Sequence, residues 1–125
     1  MDDDRDMVEA LKIILEGESY TVRVAFDGKQ GLDAVKKEKP DLIILDLLLP
    51  GEDGITICHK LKKNPEYRNI PILVVTALAK NMEKRVLPEK EYNSLKVEGY
   101  FDKPVDLEQL LAKVRQILKK KGTDQ

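Results

Sequence analysis

The chain has no tryptophan, one cysteine and one histidine among its 125 residues. A lone Cys58 cannot close an internal disulfide, which fits a reducing compartment. Cys58 and His59 have no further thiol or imidazole to complete a zinc set, so both are expected to be structural or surface residues. No apolar run approaches the roughly 18 residues that a membrane span needs. The start, Met1-Asp2-Asp3-Asp4-Arg5, lacks the basic and apolar regions of a signal peptide. Charge of one sign is also missing. Twenty-two basic residues meet 23 acidic ones, for a net charge of -1, which excludes the basic excess of a nucleic-acid or membrane-surface binder. A cytoplasmic location is expected.

Present instead are 42% hydrophobic and 36% charged residues, enough for one core under a solvated surface. Apolar residues Met7, Val8, Leu11, Ile14 and Leu15 recur at helical spacing, and Gly17 stops that helix. Tyr20, Val22 and Val24 alternate with polar neighbours and predict a strand. Asp27 is placed to cap a helix running to Glu38, which Pro40 closes. Leu42-Ile43-Ile44-Leu45 is apolar without alternation, the pattern of a strand buried on both faces of a parallel sheet. It ends at Asp46. A loop from Leu47 to Asp53 leads to a helix over Gly54–Lys63. Pro71 to Val75 is a second buried strand, ending at Thr76. A helix interrupted near Pro88 is expected over Leu78–Lys96. A short strand over Gly99–Asp102 precedes Lys103-Pro104. Asp106 then caps a final helix through Leu107, Leu110, Leu111, Val114 and Ile117, followed by a solvated tail, Lys119 to Gly122.

Strands alternating with helices predict one α/β domain over 1–125 with a parallel sheet. Such sheets carry their chemistry at the C-terminal strand ends. Asp46, Thr76 and Lys103 fall there, and Asp2 and Asp3 stand just before the first helix. Clustered carboxylates repel unless a cation joins them, and oxygen ligands suit Mg²⁺. A carboxylate can act as nucleophile toward phosphorus and form an acyl phosphate. A lysine offsets charge on the transferring group, and a hydroxyl can donate to it.

Asp2-Asp3, the run from Asp46 through Pro50 to Gly54, Thr76-Ala77 and Tyr100-Phe101-Asp102-Lys103-Pro104 together resemble the receiver domain of two-component response regulators. Asp46 and Thr76 lie 30 residues apart, as in that family. The resemblance covers nearly the whole chain. It implies a flavodoxin-like, doubly wound sheet with helices on both faces. It implies that Asp46 accepts a phosphoryl group from a sensor histidine kinase. Asp3, Asp46 and the Leu48 backbone carbonyl would hold Mg²⁺, with Asp2 acting through water. Lys103 would pair with the acceptor, Thr76 and Tyr100 would switch, and Lys103-Pro104 would be cis. A downstream protein or output domain would read the later helices. Such a domain is regulatory, at most catalysing its own phosphoryl transfer and hydrolysis.

The family opens with an apolar strand before its acidic pair, and here only Met1 stands in that place. Five buried apolar residues would contribute about 10 kcal/mol. Their absence predicts a sheet gap, closed by direct pairing of the flanking strands or by a partner chain, including self-association. It also predicts a frayed end that binds Mg²⁺ weakly. Two alternatives remain in view. One is a degenerate receiver that only binds other proteins. The other is an aspartyl-nucleophile phosphatase, which would want an Asp where Leu48 stands. A flavin-binding domain would want a glycine- and hydroxyl-rich loop that the chain lacks.

Overall fold

The computed structural model describes residues 1–51, 53–77 and 96–122. The helix expected over Leu78–Lys96 lies almost wholly outside the described residues. In chain order the elements are α1 (Arg5–Gly17), α2 (Gly28–Lys37), β1 (Ile43–Leu45), α3 (Gly54–Lys63), β2 (Ile72–Thr76), β3 (Gly99–Asp102) and α4 (Leu107–Gly122). The three strands form a parallel sheet in the order β1-β2-β3.

β2 shows why the fold has two layers of helices. All five of its residues are buried, and their two-residue alternation splits them between opposite faces. Ile72 and Val74 join Val35 of α2 and Ile57 and Leu61 of α3 in one core. Leu73 and Val75 join Leu11 and Leu15 of α1 and Leu110 and Val114 of α4 in the other. The fold is therefore the expected flavodoxin-like α/β architecture, with helices on both faces of a parallel sheet.

Helix starts follow their caps. Asp27 accepts from the Gln30 N–H at 2.8 Å, and Asp53 from the Thr56 N–H at 2.8 Å. Asp106 accepts from the N–H groups of Glu108 and Gln109. α1 begins earlier than the apolar spacing implies, because Asp4 caps it through the Met7 N–H. The tail over Lys119–Gly122, expected to be solvated, continues α4 as helix, with Lys119 exposed. No helix among the described residues is long and apolar enough to cross a membrane.

Three expectations at the start of the chain are corrected. Residues 20–25, where a strand was expected, form no strand. Their alternation is real, yet a strand needs a ladder partner, and the neighbouring position holds almost no chain. Direct pairing of residues 20–25 with β1 does not occur either. Between them lies a groove of about 470 Å³. The chain end is also not frayed. The Met1 ammonium donates to the Ile44 carbonyl at 2.6 Å. The Asp46 N–H donates to the Met1 carbonyl at 2.9 Å, and the Asp2 N–H to the Ala25 carbonyl at 3.0 Å. Met1 thus occupies one rung of a parallel strand position between residues 20–25 and β1.

Candidate functional site

β1 delivers Asp46 to the C-terminal edge of the sheet, and β2 delivers Thr76 beside it. The Lys103 N–H donates to the Thr76 carbonyl at 2.9 Å, which fixes the turn after β3 against the end of β2. The Met1 rung brings Asp2 to the same edge. All four side chains meet.

One carboxylate oxygen of Asp46, Oδ1, accepts from the Thr76 hydroxyl at 2.8 Å and from the Leu48 N–H at 2.9 Å. The other, Oδ2, accepts from the Lys103 ammonium at 3.0 Å. Lys103 reaches Asp2 as well, donating to Oδ1 at 3.2 Å and lying 3.0 Å from Oδ2. Asp2 and Asp46 are each only 4% exposed, and Thr76 is fully buried. Burial alone would drive the Lys103 ammonium to release its proton. The Asp2 and Asp46 carboxylates outweigh that and hold its pKa above the ordinary 10.5. Burial pushes the Asp2 carboxyl up from 3.8, and the Asp46 charge adds to this. The Asp4 N–H and Lys103 offset only part.

The three aspartates at the start divide into separate jobs. Asp2 is buried in the site, Asp3 is exposed at its mouth, and Asp4 caps α1. Oxygens of Asp2, Asp3 and Asp46 lie within 4.8 Å of one another. Asp2 Oδ2 is buried and, despite the nearby ammonium, has no hydrogen bond of sound geometry. Three carboxylates against one lysine leave net negative charge. An all-oxygen set with an orphaned oxygen fits a hard divalent cation such as Mg²⁺.

Of the other expected site residues, Leu48 places its side chain in solvent, 42% exposed. Tyr100 is half-buried on β3 and packs against the core that contains Cys58. The Lys103-Pro104 bond is cis.

Two features escaped the sequence. A Cβ at Gly54 would lie 2.3 Å from the Asp46 carbonyl oxygen and 2.6 Å from Leu47 Cα, so only glycine lets α3 start this close to Asp46. A glycine immediately after a capping aspartate was the available signal. The second is the Met1 amine. Burial lowers its pKa from 8.0 to about 6, partly offset by Asp2 and Asp46. The folded chain releases this proton near pH 6 and the unfolded chain near 8, so the unfolded state binds more protons between them. Stability should therefore rise with pH over that window, by up to about 2–3 kcal/mol at 1.36 kcal/mol per unit. Urea unfolding at pH 6, 7 and 8 in a chelator checks this; a flat or falling profile refutes it.

Comparison with known proteins agrees with this geometry. Residues 1–115 match the family model of the response regulator receiver domain. The chain is 37% identical over 120 residues to the DNA-binding dual master transcriptional regulator RpaA of Synechocystis sp., covering 96% of this chain and 48% of that protein. It is 34% identical to the response regulator ArlR of Staphylococcus aureus, covering 96% of this chain and 51% of that protein. The chain thus spans about half the length of these curated relatives. Among solved structures, a putative response regulator from Chloroflexus aurantiacus superposes with a TM-score of 0.81 at 34% identity, over 94% of this chain and 93% of that one. The receiver domain of a signal transduction histidine kinase from Syntrophus aciditrophicus gives 0.84 at 26% identity, over 100% and 91%. With its strand-end aspartate, threonine and lysine in one cluster, the chain belongs to the response regulator receiver domain family.

Proposed function

We propose that Asp46 accepts a phosphoryl group from the phosphohistidine of a sensor kinase, and that the resulting acyl phosphate resets a protein-binding surface. The observation that carries this is the clamped carboxylate. Thr76 and the Leu48 N–H hold one oxygen of Asp46, Lys103 holds the other, and two more carboxylates stand within ligand distance.

A carboxylate oxygen of Asp46 attacks phosphorus, and the bond from phosphorus to the histidine nitrogen breaks. The imidazole leaves as a neutral base after taking a proton from water. Lys103, already charged at neutral pH, faces the negative oxygens of the transferring group. Asp2, Asp3, Asp46 and the Leu48 carbonyl would hold Mg²⁺, which supplies positive charge for the phosphoryl oxygens when bound. The Thr76 hydroxyl then exchanges its bond to Asp46 for one to a phosphoryl oxygen. Thr76 and Tyr100 sit on paired strands, Val74 opposite Tyr100 and Thr76 opposite Asp102. Movement at Thr76 is thereby coupled to Tyr100, and a two-state surface on the β3–α4 side is biased by added charge. A downstream protein or an output domain would read that surface.

Acetyl phosphate with Mg²⁺ should add one hydroxylamine-labile phosphoryl group per chain by intact mass, and chelation should abolish the addition. A chain that stays unlabelled with excess donor and Mg²⁺ would instead act only as a binding module, and the proposal would fail.

A further inference from the structure

The helix α3 is fixed to the Asp46 loop at its first residue and meets Tyr100 one turn later. The Gly54 N–H donates to the Leu47 carbonyl at 3.0 Å. Gly54 has no side chain, and the position a Cβ would take is 2.3 Å from the Asp46 carbonyl oxygen, so the helix backbone rests directly on the backbone of Asp46. Helical residues four apart share a face, about one turn on. From Gly54 that residue is Cys58, which is fully buried.

Tyr100 comes to the same place from the sheet. It pairs with Val74, and side chains opposite one another on neighbouring strands point to one face. Val74 belongs to the core under α2 and α3, and Tyr100 packs against that core, which contains Cys58. The phenol lies close enough to the thiol to sense its charge. Burial first, and the Cys58 thiolate second, hold the Tyr100 hydroxyl above its ordinary 10.0. Burial holds the thiol above 9.0, with Lys62 opposing part of this. Both groups are therefore neutral at pH 7, and what joins them is contact rather than charge.

A buried thiol suits such a contact. Its sulfur is polarisable and packs favourably against a ring edge. Close-packed interiors transmit a shift rather than absorb it. With its first residue seated on Asp46, α3 passes a change there down its length. The line of contacts runs Asp46, Gly54, Cys58, Tyr100, and Thr76 has no part in it.

We propose, on the reading of Asp46 as phosphoacceptor and Tyr100 as a switch, that Cys58 is a positioning residue which carries movement of the Asp46 backbone through α3 to the Tyr100 ring. It supplies a second route beside the one from Thr76 through β2 and β3. The side chain acts by its bulk and its contact with the ring, not by reactivity.

Fluorotyrosine incorporated throughout gives one fluorine NMR line for each of the four tyrosines. Tyr100→Phe and Tyr20→Phe identify the lines of those two residues. In chelator, without a phosphodonor, Cys58→Ala should move the Tyr100 line by more than its width. The Tyr20 line should stay in place, because Tyr20 packs against the opposite core. Cys58→Val, bulkier and stiff at its branch, should displace the Tyr100 line too, and stands in should the alanine variant not fold. Acetyl phosphate with Mg²⁺ should move the Tyr100 line of the wild type. In Cys58→Ala the same treatment should still add one phosphoryl group by intact mass, while the movement of that line falls to about half or less. Cys58→Ser, close in size to the native side chain, should keep most of it. A Tyr100 line that stays put in the alanine and valine variants would overturn the proposal. So would a phosphorylated Cys58→Ala chain whose Tyr100 line moves as far as that of the wild type. A wild-type chain that gains no phosphoryl mass would refute the reading of Asp46 and the coupling with it, whereas the measurement in chelator decides the contact between Cys58 and Tyr100 in either case.

Discussion

Asp46→Asn should leave a folded chain that takes up no phosphoryl group from acetyl phosphate or from a phosphorylated kinase. The amide oxygen can still accept from Thr76 and from the Leu48 N–H, so the loop after β1 keeps its anchor. What disappears is the nucleophile, because an amide oxygen is far too weakly basic to attack phosphorus. One of two buried carboxylates is also removed, and Lys103 remains paired with Asp2. Relief of repulsion between Asp2 and Asp46 opposes loss of the Lys103–Asp46 pair, so the net stability change should stay within about 1–2 kcal/mol. Intact mass and a urea melt on the same sample separate the two effects. Labelling of the folded variant at the wild-type level would show that the acceptor lies elsewhere.

Lys103→Met should do the reverse and damage both properties. Its ammonium is the cation between two carboxylates whose side chains are about 5–6% exposed. Without it, Asp2 and Asp46 face each other uncompensated. Breaking such a buried pair costs about 3–5 kcal/mol, here reduced somewhat because Lys103 is 16% exposed. The loss should be largest at neutral pH. It should shrink on acidification, because the Asp2 carboxyl, already above its ordinary 3.8, then takes up a proton and the repulsion ends. Mg²⁺ at millimolar concentration should restore part of the stability if the carboxylates hold it. Labelling should fall about 100-fold or more, equivalent to about 2.7 kcal/mol of lost transition-state stabilisation. A variant as stable as the wild type at pH 7 in chelator would contradict the assigned electrostatics.

The clustered side chains of the candidate site were readable because each sits where a regular element ends. Leu42 to Leu45 had the pattern of a doubly covered strand, so Asp46 was expected at a sheet edge. The same logic placed Thr76 after β2 and Lys103 after β3. The opening of the chain was harder to read. Three consecutive aspartates look equivalent, yet one is buried, one is exposed and one caps α1, and only the rung made by Met1 decides which. Alternation over Tyr20, Val22 and Val24 shows which side chains face inward but not whether the backbone has anything to bond. The close approach of Gly54 depends on two segments meeting in space, and the extension of α4 past Lys119 on helix propagation through a lysine run of good propensity. The helix expected around Pro88 falls outside the described residues.

The bond from the Asp46 N–H to the Met1 carbonyl has a practical consequence for handling the protein. A purification tag or reporter fused to the N-terminus would continue the chain from Met1 straight into the apolar groove. A polyhistidine or other charged leader would be forced either to enter it or to pull the Met1 rung away, and the Asp46 N–H would lose its partner. Disturbing the Met1 rung therefore also disturbs the backbone that carries the Asp46 carboxylate.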